Sequence, residues 1–310
     1  MTICSICGGK DNRLFSAKEM MFGYPEEFQY SECLSCNSLR IVEEPKDLQK
    51  YYPENYYSFR ENKSGLVKKI LKKQRGRYVL GKSHLFGKML TKIWNEPLVA
   101  SWIKHLNLNF NAKILDIGCG KGLHLRELLN FGYYNLLGID PFINHSIHIK
   151  DKLSILKQDI SDTKGEFDFI MMNHALEHSK DQKETLSHIF NLLHPSGVAL
   201  IRIPITNTFA WKEFGTNWVQ LDAPRHLFLH SEKSFKIMAS EIGFEVSKVV
   251  FDSTFFQFTG SLGYVKGIPL VKQNEQMNFS ENEMREFINK AEMLNNTHQG
   301  DQACFYLKKK

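Results

Sequence analysis

Ile114-Leu115-Asp116-Ile117-Gly118-Cys119-Gly120-Lys121-Gly122 decides the fold: an apolar run enters a glycine-rich turn, and an amphipathic stretch, Leu123–Phe131, follows. Glycines at 118, 120 and 122 let the backbone turn sharply and let a ligand lie directly against it. Asp116 sets a carboxylate just before the turn, within reach of the amino group of a bound amino-acid moiety. A dinucleotide fingerprint would place its third glycine at position 123, which is Leu123, and this counts against a nicotinamide dinucleotide.

Working outward, short apolar runs alternate with amphipathic stretches from Lys113 on, the pattern of a parallel sheet wound with helices. The runs predict seven strands, at Ile114–Ile117, Leu136–Ile139, Ser154–Leu156, Phe167–Met172, Val198–Ile203, Glu245–Phe251 and Cys304–Leu307. Helices are expected at Leu123–Phe131, Asp181–Leu193 and Glu232–Ile242, the last between an N-cap, Ser231, and a C-terminal glycine, Gly243. Three regions result: residues 1–45 with two cysteine pairs, a helical connector over 46–110, and the wound α/β region over 111–310.

Asp140 ends the second strand about 20 residues after the glycine turn, where a carboxylate accepts from both hydroxyls of an adenosine ribose. Asp159, after the third strand, is placed to accept from the adenine amino group. With Asn173-His174-Ala175-Leu176-Glu177-His178 after the fourth strand, these residues resemble the class I S-adenosylmethionine-dependent methyltransferases over roughly Lys113 to Lys310. The resemblance implies a Rossmann-like, seven-stranded methyltransferase sheet. It also implies that Asp116, Gly118, Gly120, Gly122, Asp140 and Asp159 bind the cofactor, with Asn173 and His174 in the segment that borders it.

Cys4-Ser-Ile-Cys7 and Cys33-Leu-Ser-Cys36 are two C-x-x-C knuckles spaced to surround a zinc ion tetrahedrally, and Gly8-Gly9 supplies the tight turn. Four cysteine ligands close the site, so this zinc is expected to be structural. Cys119 and Cys304 read as ordinary core or loop residues.

The segment Trp211 to Ser231 follows the fifth strand, where a Rossmann-like enzyme places its acceptor side, and carries Trp218, Asp222, Arg225, His226 and His230. Arg225 suits a phosphate or carboxylate through its forked donors, or an ion pair with Asp222. If Asn173 onward is helical, His174 and His178 share a face.

Asp222-Ala-Pro-Arg225-His226-Leu, the cysteine knuckles and Tyr52-Pro-Glu-Asn-Tyr56-Tyr57-Ser-Phe59 look like the zinc-ribbon methyltransferases of surface-polysaccharide and secondary-metabolite biosynthesis. On that resemblance His226 is the first choice for catalytic base and His178 the second. Trp218, Asp222, Arg225, Tyr56 and Tyr57 then bind the substrate, the tyrosines as a lid or as packing between modules. The acceptor is a sugar or nucleotide-linked saccharide, with O-methylation favoured over C-methylation.

After Arg60, residues 61–92 carry ten basic side chains, among them Lys63, Lys68, Lys69, Lys72, Lys82, Lys88 and Lys92. This run suits a solvated helix face with Leu66, Ile70, Leu71 and Val79 inward, or contact with nucleic acid, an anionic membrane surface or a phosphorylated substrate. Two further readings stay open: a ribosomal-RNA methyltransferase with a zinc recognition module, and a non-catalytic S-adenosylmethionine-binding or protein-interaction module. The first lacks the Asn/Asp-Pro-Pro-aromatic segment with which many base-modifying enzymes hold an extruded base. No apolar run is long enough to span a bilayer, and the start has no signal-peptide pattern, so a cytoplasmic location is expected, where paired cysteines suggest metal.

Overall fold

The computed structural model describes residues 3–52, 66–81 and 96–310. Tyr56 and Tyr57 of the expected lid, and Lys63, Lys82, Lys88 and Lys92 of the basic run, lie outside the described residues. The chain packs as two compact units, Met1–Pro53 with His174–Phe190 and Ile201–Lys310, and Glu54–Asn173 with Asn191–Leu200.

The second unit is built on β4 (Lys113–Ile117), β5 (Asn135–Ile139), β7 (Leu153–Leu156) and β8 (Phe167–Asn173). They pair in parallel, with Ile114 opposite both Leu136 and Phe169, and Leu136 opposite Leu153. Ile114, Leu115, Phe169, Ile170 and Met171 are fully buried, which explains the continuous apolar runs of these strands.

The eight-stranded sheet has the order β11 (Phe244–Phe251), β12 (Gln302–Lys309), β9 (Leu193–Pro204), β8, β4, β5, β7 and β6 (Ile147–Ile149), one strand more than the seven expected. The addition is β6 (Ile147–Ile149), which turns back at Lys150, φ 49°, to pair antiparallel with β7. Three residues at a sheet edge are too few for alternation to announce them. Strand β9 (Leu193–Pro204) contributes to both units.

Helix α1 (Leu66–Val79) approaches α3 (Leu123–Phe131) through Gly76, where a Cβ would sit 2.1 Å from the Phe131 ring. The basic run is therefore partly packed: Arg77 lies over the Phe110 ring, 5.5 Å from its centroid. Ile70, expected inward, is 58% exposed, because this contact is made from another side of the helix. Among the described residues the helical connector expected over 46–110 also includes α2 (Leu98–Ile103), with Val99, Trp102 and Ile103 buried.

In the first unit β1 (Asn12–Lys18), β2 (Glu27–Cys33), β3 (Leu39–Ile41) and the short β10 (Phe228–Leu229) form an antiparallel sheet. Its apolar face packs Tyr30, Leu39, Trp211, Trp218, Leu221 and Leu229 into one buried cluster. The region before β10 carries α4 (Gln182–Leu192) and the short α5 (Phe209–Phe214). Ser231 caps α6 (Glu232–Ile242) in a capping box with Ser234, and Gly243 ends it at φ 109°.

Between β11 (Phe244–Phe251) and β12 (Gln302–Lys309), which pair antiparallel, the chain inserts α7 (Phe256–Val265), α8 (Leu270–Gln276) and α9 (Glu281–Asn296). No helix was expected there, although Ser280 and Glu283 form a capping box that is visible in the sequence. Among the described residues no helix is long and apolar enough to cross a membrane.

Candidate functional site

The glycine turn follows β4 in the second unit. Gly118, Gly120 and Gly122 take φ values of 68°, 51° and 74°, a region that glycine enters without a Cβ clash. The N–H groups of Gly118 and Cys119 donate to Ile139 O, which ties the turn to the end of β5. Gly138 lies beneath it, where a Cβ would come within 2.7 Å of both Cys119 Sγ and Leu125 Cδ1.

Asp140 braces the same turn: its Oδ2 accepts from Gly120 N at 2.8 Å and its Oδ1 from Phe142 N at 2.8 Å. A carboxylate has about four acceptor positions, so these two bonds leave capacity for two ribose hydroxyls. Asp159 is exposed and caps the turn Ile160–Asp162 by accepting from Ser161 N at 3.1 Å.

Asp116 is buried, and its Oδ2 has no hydrogen-bond partner. Burial first, and the neighbouring Asp140 second, push its carboxyl well above the usual range. A buried carboxylate in this state favours a cationic partner. The ammonium of an amino-acid ligand is one, so donor set and turn together fit S-adenosylmethionine.

The first unit gathers the histidines. His174 is left-handed, φ 48°, and Leu176–His178 is a single 3-10 turn, so His174 and His178 do not share the helical face that their spacing suggested. His174 instead faces oxygens from both ring nitrogens, Glu177 Oε1 at 3.0 Å and Gln302 Oε1 at 3.2 Å. His178 Nδ1 donates to Arg225 O at 2.9 Å, with the Tyr52 hydroxyl 3.0 Å away.

His226 Nδ1 donates to Gln220 O at 2.7 Å, and its Nε2 faces Asp222 Oδ2 at 3.8 Å and Glu177 Oε1 at 3.9 Å. The rings of His178 and His226 meet edge to face, 4.7 Å apart. Burial, and then His178, push the His226 imidazole down to about 4. Burial raises Glu177, but the His174 hydrogen bond and the surrounding histidines pull it down to about 2.

Arg225 is fully buried and engaged from several sides. Its Nε donates to both Asp222 oxygens at 3.0 Å, and its Nη2 to Asp222 Oδ1 at 2.6 Å and Glu19 Oε1 at 2.8 Å. The guanidinium is thus committed to Asp222 and Glu19, which is the ion-pair reading of this residue. Glu19 in turn accepts from the backbone N–H groups of Met21, Phe22, Gly23 and Tyr24. Trp218 is also fully buried, its indole N–H donating to Asp301 Oδ2 at 3.0 Å, so both side chains hold the loop from within.

Cys4, Cys7, Cys33 and Cys36 are free thiols whose sulfurs lie within 4.8 Å of one another, with Cys4–Cys36 at 3.7 Å and Cys7–Cys33 at 3.6 Å. Four thiolates about 2.3 Å from a tetrahedral zinc lie roughly 3.8 Å apart, so the donor set fits zinc. The second knuckle is stitched to the end of the segment that bears His226 and to both its flanks: Ser231 Oγ donates to Cys36 O, Thr206 Oγ1 to Asn37 O, and Lys233 Nζ to Ser35 O. The Tyr30 hydroxyl donates to His226 O at 2.9 Å.

Sequence reasoning missed Glu19, Gln220 and Gln302. Glu19 lies far from its partners in sequence, and the glutamines lie outside any motif. Glu177 was visible between two histidines but was not singled out.

Residues 91–249 match the family model described as the methyltransferase domain, a little over half of the chain. EEF1A lysine methyltransferase 2 of Homo sapiens is 31% identical over 113 residues, 29% of this chain and 48% of that protein. The tRNA U34 carboxymethyltransferase of Alteromonas mediterranea is 23% identical over 207 residues, 60% of this chain and 59% of that protein. The chain spans about half the length of the curated relatives it matches. A solved cyclopropane synthase from Mycobacterium tuberculosis is 14% identical at a TM-score of 0.46, covering 80% of this chain and 100% of that one. With the family model matched over more than half its length, the chain belongs to the methyltransferase domain family.

Proposed function

We propose that the protein transfers a methyl group from S-adenosylmethionine to an oxygen of a small-molecule acceptor, of which sugars and nucleotide-linked saccharides are the first class to test. The observation that carries the reading is the buried, unpartnered Asp116 Oδ2 at the mouth of a glycine turn already braced by Asp140. Asp116 receives the ammonium of the methionine moiety, Asp140 the ribose hydroxyls, and Asp159 the adenine amino group. Bound there, the cofactor supplies an electrophilic methyl group, and the protein's remaining task is to align the acceptor and take its proton.

That task falls to the histidine cluster of the first unit. His178 is partly exposed whereas His226 is buried, so His178 is the better placed of the two to meet an acceptor proton. His226 supports it from behind, which reverses the order expected from sequence. Arg225 and Asp222 hold the loop, and the cysteine quartet holds a structural zinc that fixes the strand next to His226.

The relatives do not choose the acceptor, since their names cite protein lysine, sterol, tRNA and ubiquinone chemistry. Radiolabelled S-adenosylmethionine offered with nucleotide-linked sugars, RNA and protein extracts decides among them. Label in the sugar fraction is expected. Label in RNA or protein alone would replace the saccharide reading, and label in none of the fractions would count against transfer itself.

A further inference from the structure

Three acceptor groups without a proton between them converge beside the partly exposed His178. His226 uses its Nδ1–H on Gln220 O and His178 uses its Nδ1–H on Arg225 O, and a carbonyl oxygen can only accept. Each ring is thereby left with one unprotonated nitrogen. His226 Nε2 faces carboxylate oxygens at 3.8 and 3.9 Å, acceptor against acceptor. Glu177 is buried, its Oε1 is oriented by His174, and its Oε2 has no partner.

A cation satisfies this arrangement. Donor atoms of Glu177, His178 and His226 lie within 4.8 Å of one another. Ligands about 2.1 Å from a first-row metal lie roughly 3.0 to 3.4 Å apart, so closure needs movements of less than about 2 Å. The backbone carbonyls on the far nitrogens supply the outer hydrogen bonds that metal-bound histidines typically make.

We infer that Glu177, His178 and His226 bind a divalent first-row transition cation, a second metal site distinct from the cysteine quartet. Two imidazoles and a carboxylate suit manganese, iron or zinc and leave coordination positions open. The inference deepens the proposed function and rests on it: with the cation bound both rings are its ligands, and His178 acts through the metal, which holds and acidifies the acceptor oxygen so that its proton leaves to solvent.

The test uses the full chain carrying one equivalent of zinc, titrated with manganese chloride alone and followed by loss of the free Mn²⁺ electron paramagnetic resonance signal. Manganese is a poor competitor for thiolates, so it reports on the histidine cluster. One site is expected, weakened at least about tenfold in Glu177→Gln and in His226→Gln, with thermal melts showing that both variants are folded. His174→Gln, which disturbs only the orientation of Glu177, is expected to weaken it less.

No manganese uptake by the wild-type chain at millimolar free metal would overturn the inference, as would uptake unchanged in both folded variants. Methyl transfer undiminished after the cluster is stripped by chelator, with zinc retained, would overturn it too while leaving the cluster as the acceptor end. Uptake with the expected variant pattern but no methyl transfer to any acceptor would support the cation site and overturn the reading of the cluster on which its role rests.

Discussion

Two buried carboxylates, Asp116 in the second unit and Glu177 in the first, stand in opposite situations. Asp116 has an oxygen without a hydrogen-bond partner and Asp140 as a neighbour, and burial and Asp140 push its carboxyl up. Glu177 sits among three histidines and is held low. On the proposed function the first is a socket beside the glycine turn, whose partner arrives with the bound cofactor. The second is an organiser built from side chains that already come from distant parts of the chain. Damage to the socket is therefore expected to stay local, whereas the cluster is sensitive to changes made far away, at Glu19 or at the cysteines.

The largest expected effect is on chemistry. His178→Gln lowers turnover by about 10² to 10⁴-fold in a single-turnover methyl-transfer assay while cofactor affinity is unchanged. Equal losses in turnover and cofactor affinity would erase the division between socket and cluster.

Next comes the brace behind the cluster. Arg225→Ala strands Glu19 and Asp222 as uncompensated buried charges and is expected to lower stability by about 3 to 5 kcal/mol in urea unfolding. A loss below about 1 kcal/mol would mean that the loop is held by Trp218 and its apolar surroundings instead.

A smaller change is expected at the socket. Asp116→Asn keeps the shape but loses the charge-assisted bond, which should weaken S-adenosylmethionine by about 1.5 to 3 kcal/mol in calorimetry. Stability should hold or rise, because an uncompensated buried carboxyl has been removed.

The last effect is confined to acid and vanishes near neutral pH. His230 is buried between Ser234 and Gln182, and burial pushes its imidazole down to about 3. The unfolded chain binds a proton near its ordinary value of about 6.5 while the folded chain does not. Stability therefore rises with pH across this window and is lost as pH falls from about 6.5 toward 3, at up to about 1.4 kcal/mol per unit. His230→Gln should flatten that slope in urea unfolding at successive pH values, and an unchanged slope would assign it to other groups.

The socket was legible in the sequence because its parts are local: strand, glycines and Asp116 lie within one short stretch, and positive φ at 118, 120 and 122 is what glycine is needed for. The gathering of the four cysteines was legible for a similar reason, since the cysteine spacing within each knuckle is short-range. The cluster was only half legible. His178 and His226 stood out by residue type, but Gln220 and Arg225 act there through their carbonyls, which any residue supplies. Helical spacing misled at His174 because its left-handed backbone breaks the helix that the spacing assumed. The helices over 256–296 are announced only at the last of them, by Ser280 and Glu283, while Phe256–Val265 carries Gly260 and Gly263, which disfavour a helix interior.

The central claim, that the socket holds the cofactor and the histidine cluster acts on the acceptor, is tested most directly by one paired measurement. S-adenosylmethionine affinity and methyl-transfer turnover are measured together for wild type, Asp116→Asn and His178→Gln. Asp116→Asn is expected to lose about 10- to 100-fold in affinity, and His178→Gln to keep wild-type affinity but lose at least about 10²-fold in turnover. Wild-type affinity in Asp116→Asn, or wild-type turnover in His178→Gln, would contradict that claim.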